Sequence, residues 1–340
     1  MNILRYLGRR LLFTVFLLIG VSLMVFIISY MVPSDPVVAN LSARNLNNEE
    51  MVQAYREKWG LDQPVYKQYL TYLNNLLHGN LGTSLRTERP VLDDLKLYFP
   101  ATLELSIFGI LFAVLFGMLF GVISAIKRNK AVDQILRGVS VVGVSVPVFW
   151  MALLLLFVFY LKLGIFPGPG RLSAYSTPPA HVTGLYTIDA ILMGDWALCW
   201  DAIKHLCLPG MCLGLFTMGL ISRTSRSSLL EVLSMDYVRT ARAKGLKERD
   251  VIVKHALGNS LISVLTVIGL GFGNLLGGMV LAESVFAWPG IGQYAYKSAQ
   301  NLDFPAIVGV SLLIALNYVV INMIVDLLYC VLDPRVRYEG

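Results

Sequence analysis

Six stretches of this 340-residue chain carry no Asp, Glu, Lys or Arg: 11–32, 105–126, 138–161, 206–222, 256–282 and 304–325. Each approaches the roughly 20 apolar residues that carry an α-helix across a bilayer core. All fifty charged side chains, 28 basic and 22 acidic, lie between or beyond these blocks. Charge makes up only 15% of the chain, against about 25% in soluble domains. Six wholly apolar helices could not be wrapped in water-soluble surface with so little. The residues predict an all-α, polytopic membrane protein with six transmembrane helices in one membrane domain, 1–340.

The first block follows Arg5, Arg9 and Arg10, as a secretory leader would. It is longer than a leader's apolar core, and it leaves through Tyr30-Met31-Val32-Pro33 without a small-x-small cleavage pattern. It reads as a retained first span. Lys and Arg then set the orientation: three precede block one, four lie in 127–137, eight in 223–255 and two in the tail. By the positive-inside rule both termini and those two links face the cytoplasm. The net charge of +6 is thus a topology signal. No basic stripe with interleaved aromatics suggests nucleic acid.

The outer side receives the segments 33–100, 162–205 and 283–303. The first is large, and its aromatic and aliphatic residues from Tyr55 to Leu77 recur at spacings of three and four, predicting one or two amphipathic helices. Gly60 would stop the first, and Asp62-Gln63-Pro64 would open the second. The second segment, from Gly164 through Pro178-Pro179, has the Pro/Gly punctuation of an irregular loop. Glycines at 109, 117 and 121, and at 258, 269, 271, 273, 277 and 278, suit close helix packing in lipid. Pro147 and Pro209 are expected to bend their spans.

The chemistry of an enzyme is missing. There is no phosphate-binding Gly-rich loop followed by Lys-Ser/Thr, no His-Glu-x-x-His, no Gly-x-Ser-x-Gly and no Cys/His cluster. His78, His181, His205 and His255 read as surface or interfacial residues. Cys199, Cys207, Cys212 and Cys330 form no CxxC pair and read mainly as small buried hydrophobes. An ion-gradient-driven carrier, the alternative reading, would need ionisable groups at mid-membrane. Glu104, Glu283 and Asp326 instead sit at block edges, where they are expected to reach water or headgroups.

The link 223–255 is the most informative segment. Residues 229–244 are good helix formers with an apolar set at Leu229, Leu230, Leu233, Tyr237, Ala241 and Ala243. Gly245 permits a turn before a second short helix through Val251, Ile252 and Val253. Such a helix-turn-helix, basic on one side and apolar on the other, suits insertion into a partner's groove.

This link resembles the coupling loop of ATP-binding-cassette importer permeases, patterned Glu-Ala-Ala, three residues, Gly, nine residues, Ile-x-Leu-Pro. Ala241, Gly245 and Leu257 match; Arg239, Thr240, His255 and Gly258 depart from it. Further stretches resemble the first membrane subunit of the dipeptide/oligopeptide (peptide/nickel) branch. They are Pro33-Ser34-Asp35-Pro36, Gly60-Leu61-Asp62-Gln63-Pro64, His78-Gly79-Asn80-Leu81-Gly82-Thr83-Ser84, Phe99-Pro100-Ala101-Thr102-Leu103-Glu104-Leu105, Phe286-Ala287-Trp288-Pro289-Gly290-Ile291-Gly292, and Val325-Asp326-Leu327-Leu328-Tyr329 with Asp333-Pro334-Arg335.

The resemblance implies a type I ABC importer permease fold in the cell inner membrane, with the large extracytoplasmic segment 33–100 between helices 1 and 2. It implies import of di- or oligopeptides, D-amino-acid dipeptides, glutathione or nickel complexes. The implied partners are a homologous second permease, two cytoplasmic ATPase subunits, a periplasmic substrate-binding protein and the lipid bilayer. No cofactor is expected on this chain; ATP and Mg would be bound by the ATPases. Asp236, Tyr237, Arg239, Thr240, Ala241, Arg242, Ala243, Lys244, Gly245, Leu246, His255 and Leu257 would form the ATPase-coupling site.

Overall fold

A computed structural model describes residues 3–31, 48–59, 62–277 and 280–332. Pro33–Pro36, Gly60-Leu61, Gly278 and Asp333–Arg335 lie outside the described residues. Among the described residues the regular elements are helices, with one isolated bridge between Thr83 and Pro90. In chain order they are α1 (Ile3–Met31), α2 (Glu49–Trp59), α3 (Val65–Leu77), α4 (Val91–Ile126), α5 (Ala131–Ser145) and α6 (Val148–Leu155). There follow α7 (Tyr186–Leu192), α8 (Trp196–Leu233), α9 (Asp236–Ala243), α10 (Glu248–Asp250), α11 (Leu257–Leu276), α12 (Val280–Val285), α13 (Ile291–Gln300) and α14 (Phe304–Leu332). Widened π-helical turns extend α6 over Leu156–Lys162 and join α10 to α11 over Val251–Ala256.

Four described helices are long and apolar enough to cross a membrane: Val91–Ile126, Trp196–Leu233, Glu248–Leu276 and Phe304–Leu328. Block 11–32 lies on α1, of which Leu12–Ile28 is a shorter apolar stretch. The helix over block 138–161 is not continuous. It breaks at Val146-Pro147, where α5 and the α6 helix meet at 111°, giving a fifth span only if that bent pair is counted as one. The cause is local: Val146 is extended (φ −83°, ψ 130°), as the residue before proline prefers to be. Pro209, by contrast, sits inside an α8 that runs on without a break, as Pro100 does in α4.

The helices around blocks 105–126 and 206–222 reach well beyond them, starting at Val91 and Trp196. The two amphipathic helices anticipated before Leu77 are α2 and α3. Asn48 caps the first, its side-chain oxygen accepting from the amides of Glu50 (3.1 Å) and Met51 (3.3 Å), while Glu49 and Glu50 suit the positive end of the helix.

The chain forms two compact units: Leu103–Trp288 with the residues from Val320, and the N-terminal residues to Thr102 with Pro289–Val319. In the first unit α8 packs in a seam with α4 made of small residues four apart: Gly109, Ala113, Gly117 and Gly121 on α4. A Cβ on Gly117 would lie 2.8 Å from Cβ of Ile221, and one on Gly121 would lie 2.6 Å from Cβ of Ser225. On other faces of α8 the Gly219 position abuts the Ser140 carbonyl of α5, and Thr217 fills the space left by Gly271 of α11. Van der Waals contact of this closeness is what holds helices together where lipid supplies no hydrophobic drive.

In the second unit Val91, Leu95, Ile291, Tyr294, Ala306 and Val310 form the core. Two buried carboxylates order it. Asp303 accepts from Ser84 Oγ, and Asp94 accepts from Thr87 Oγ1 and, at 3.1 Å, from the Tyr294 hydroxyl. The Tyr294 ring stacks on Tyr98 at 4.9 Å between centroids.

Candidate functional site

At one end of the first unit, α8 stops at Leu233 and the chain reverses within two residues. Ser234 and Met235 donate amide bonds to Glu231 and Val232 (3.0 and 3.1 Å), and α9 starts at Asp236. It ends in a Schellman motif: the Gly245 amide bonds the Arg242 carbonyl at 2.9 Å, and the Leu246 amide bonds the Ala241 carbonyl at 3.4 Å. Gly245 has φ +78°, the left-handed conformation that glycine adopts without steric cost.

α9 has one buried face, made by Val238 and Ala241. They pack on Ala125 at the end of α4, on Leu229 and Val232 of α8, and on Val251 and Ala256 of the π-helical turn. Burial of a valine side chain contributes about 1.5–3 kcal/mol, so α9 is seated on a platform of three helices. The anticipated apolar set placed Tyr237 and Ala243 on this face; both are exposed. Val238 takes their place because it is one turn from Ala241, a register a run of only eight residues leaves ambiguous.

Arg242 ties the seat down. Its guanidinium donates from Nε and Nη2 to the two carboxylate oxygens of Glu248 (3.1 and 2.7 Å) and from Nη1 to the Leu233 carbonyl (3.4 Å). The hydrogen bond to Glu248 raises the Arg242 pKa further. The ends of α8, α9 and α10 therefore meet at one side chain. Asn259 adds a bond from Nδ2 to the Tyr237 hydroxyl at 2.7 Å.

Of the anticipated site residues, Asp236, Tyr237, Arg239, Thr240, Arg242, Ala243, Lys244, Gly245 and Leu246 are exposed on α9 and its cap, and Ala241 is buried beneath them. His255 is exposed in the π-helical turn, and Leu257 is half-buried at the start of α11. The second helix is not a separate short one: Glu248 onward is continuous with α11 as one span, Glu248–Leu276.

Beside this platform lies a cluster that spacing along the sequence does not disclose. Asp133, fully buried at the start of α5, accepts from Ser124 Oγ, from the Asn129 amide at 3.0 Å, and from Nε and Nη2 of Arg226 at 2.9 Å each. It joins α4, α5 and α8. No local signal marks it, because Arg226 is 93 positions away.

The other end of the first unit is also polar. About 30 Å of α4 separate Glu104 from Ser124, at 1.5 Å per residue, a distance matching a hydrocarbon core. Glu104 does not reach water as anticipated. It is buried, binds Nη2 of Arg171 at 2.5 Å, and accepts from the amide (2.8 Å) and hydroxyl (2.7 Å) of Thr187. The Arg171 guanidinium lies 3.5 Å from the Tyr186 ring centroid and 5.6 Å from that of Trp288. Glu283 is likewise buried, at 1% exposure, and Asp326 is half-buried.

These contacts pin the irregular 163–185 loop. Gly170 donates to the Phe286 carbonyl at 2.8 Å. Asp201 accepts from the amide and hydroxyl of Ser173 (2.9 and 2.7 Å) and from the Ser176 hydroxyl (3.0 Å). His205, expected at the surface, is buried beside Asp201, with Nδ1 2.9 Å from the Asp201 carbonyl. Asp189 organises 182–184: burial raises its pKa, but bonds from Thr183 Oγ1 and from the amides of Thr183, Gly184 and Val182 outweigh this and hold it low. The described cysteines carry free thiols; Cys199 and Cys212 are buried, and Cys207 is half-buried.

Apolar helices long enough to cross a bilayer, with polar clusters at both ends of α4 and a helical elbow seated on one end, define a multi-pass membrane protein. The chain belongs to the family of binding-protein-dependent transport system inner membrane components, whose model matches residues 117–338, with the family's N-terminal model matching 3–106. It is the permease of an ABC importer in the inner membrane, a transport subunit and not an enzyme.

The chain is 44% identical to the probable D,D-dipeptide transport system permease protein DdpB of Escherichia coli, over 94% of each chain. It is 43% identical to the dipeptide transport system permease protein DppB of Alkalihalophilus pseudofirmus, over 98% of this chain and 100% of that one. The glutathione transport system permease protein GsiC of Escherichia coli is 37% identical over 99% and 100%. In fold, the chain is similar to a chain of the inward-facing MetNI methionine ABC transporter. That match has a TM-score of 0.51 and 15% identity, covering 70% of this chain and 96% of that one.

Proposed function

We propose that this permease imports di- or oligopeptides or related small molecules from periplasm to cytoplasm, driven by ATP hydrolysis in separate subunits, with α9 as the element they grip. The observation that carries this is the division of α9: Val238 and Ala241 are bound to the membrane helices, while Arg239, Thr240, Ala243, Lys244 and Leu246 are presented outward. A helix so held transmits displacement as a rigid body. In this reading both termini and 223–255 are cytoplasmic, the partners are a homologous second permease, two ATPases that bind ATP and Mg, and a periplasmic binding protein, and the pinned 163–185 loop faces that protein. The peptide substrate is supported by the relatives named for dipeptides and D,D-dipeptides; glutathione remains within the class.

The test is reconstitution in liposomes with the candidate second permease, ATPases and binding protein, followed by uptake of a panel of dipeptides, tripeptides, D,D-dipeptides, glutathione and nickel chelates. ATP hydrolysis stimulated by loaded binding protein, with uptake of a peptide, is the expected result. Uptake by this chain without ATPases, collapsing with an ion gradient, would overturn the ATP-driven reading. ATP-dependent uptake confined to nickel chelates would overturn the substrate class alone.

A further inference from the structure

The segment between blocks one and two reads from sequence as extracytoplasmic, yet α3 is not placed as a water-borne helix would be. It packs on α1 inside the apolar block. The Tyr69 hydroxyl lies 3.0 Å from Ser22 Oγ and donates to the Ile19 carbonyl at 3.3 Å. The Phe26 ring meets Tyr69 and Tyr72 at 5.3 and 5.7 Å between centroids. Ser22 and Phe26 fall within the apolar stretch Leu12–Ile28 of α1, about 9 Å and 3 Å of helix from its far end at 1.5 Å per residue. A helix in contact at those positions is at membrane depth.

The side chains of α3 agree. At 100° per residue Val65, Tyr69, Tyr72, Leu73 and Leu76 share the arc turned to α1, and the apolar arc continues past it through Tyr66, Leu70 and Leu77. Those last three are exposed, at 64%, 58% and 80%. Lys67 and Asn74 occupy the opposite side. α1 also exposes apolar side chains over this stretch, among them Met24, Ile27 and Ile28. Tyrosines beside aliphatic residues, backed by a polar face, are the composition of a helix lying in a membrane interface.

We propose that α3 is an interfacial helix whose Tyr66–Leu70–Leu77 face rests on lipid acyl chains, with Lys67 and Asn74 toward headgroups and water. The 33–100 segment is then anchored to the bilayer through α3, and only its remaining parts are free for partners.

The experiment is power-saturation EPR on the assembled transporter in lipid nanodiscs. Nitroxides are placed one at a time by Leu70→Cys, Leu77→Cys, Lys67→Cys and Asn74→Cys, and the signal of the identically treated parent is subtracted. Oxygen partitions into lipid and a nickel chelate stays in water. Labels at 70 and 77 are expected to collide several-fold more with oxygen than with the chelate, and labels at 67 and 74 to show the reverse. Chelate preference at both 70 and 77 would overturn the proposal by showing an aqueous face. Inaccessibility of both to either reagent would overturn it by showing a protein partner there. The two sites report independently, so failure of one variant to assemble still leaves a decision.

Discussion

Loss of the Glu104 carboxylate is expected to destabilise the first unit more than loss of the whole ion pair. Glu104 and Arg171 are both more than nine-tenths buried, and their charges meet at 2.5 Å. Truncating one partner of such a pair leaves the other charge buried and uncompensated, which costs about 3–5 kcal/mol. Replacing both with apolar residues of similar size removes that penalty, and the expected cost falls to within about 1–2 kcal/mol of the parent, mostly the lost bonds from Thr187. Glu104→Ala, Arg171→Ala and Glu104→Leu/Arg171→Met are to be compared by equilibrium unfolding in mixed micelles, with protease cleavage of 163–185 as a local readout. The expected pattern is two costly single variants, a mild double variant, and faster loop cleavage in both singles. Singles each costing under about 1 kcal/mol, or a double variant costing the sum of the two, would refute a desolvated, coupled pair.

Other outcomes follow from the same geometry. Gly117→Val forces branched carbons against Ile221, where even a Cβ would sit at 2.8 Å, and should destabilise by about 1–3 kcal/mol, read as a lower melting temperature in detergent. Gly245→Ala at φ +78° should cost about 1–2 kcal/mol, and Gly245→Pro also deletes the amide bond to Arg242. In the reconstituted complex, ATP hydrolysis should then persist while uptake falls at least several-fold.

Asp189 has a folded pKa below the ordinary carboxylate value, so its contribution is present above about pH 4 and is lost as pH falls through the folded pKa. Amide exchange at Thr183 and Gly184 should rise between about pH 4 and lower values, and Asp189→Asn should abolish that pH dependence. Deleting the loop to test binding-protein contact would remove the Ser173 and Ser176 anchors, so the better probe is Tyr175, which is fully exposed between them. Tyr175→Ala should weaken binding-protein stimulation without lowering stability.

The helical class, the membrane location and the position of the elbow were legible in the residues, because they depend on local quantities. Runs without charge mark helices that tolerate lipid, and Gly245 marks a left-handed turn wherever its neighbours pack. Pro147 and Pro209 show where such reading stops. Both interrupt apolar runs, but one breaks its helix by 111° and the other leaves α8 continuous. The difference lies in the residue before each proline: Val146 is extended, whereas Leu208 stays helical within α8.

Charge told the same two-sided story. Its total and its distribution along the chain set an expected orientation without any structure. The fate of individual charges was decided by tertiary contact: Glu104 found Arg171, and Asp133 found Arg226, across 67 and 93 positions. An isolated carboxylate at the edge of an apolar run belongs in water, and only a partner brought by the fold makes its burial tolerable. The same holds for α3. Its amphipathic pattern alone required an apolar neighbour, and the structure identified that neighbour as α1 within its membrane block, because a period of 3.6 fixes which face is apolar but not what it meets.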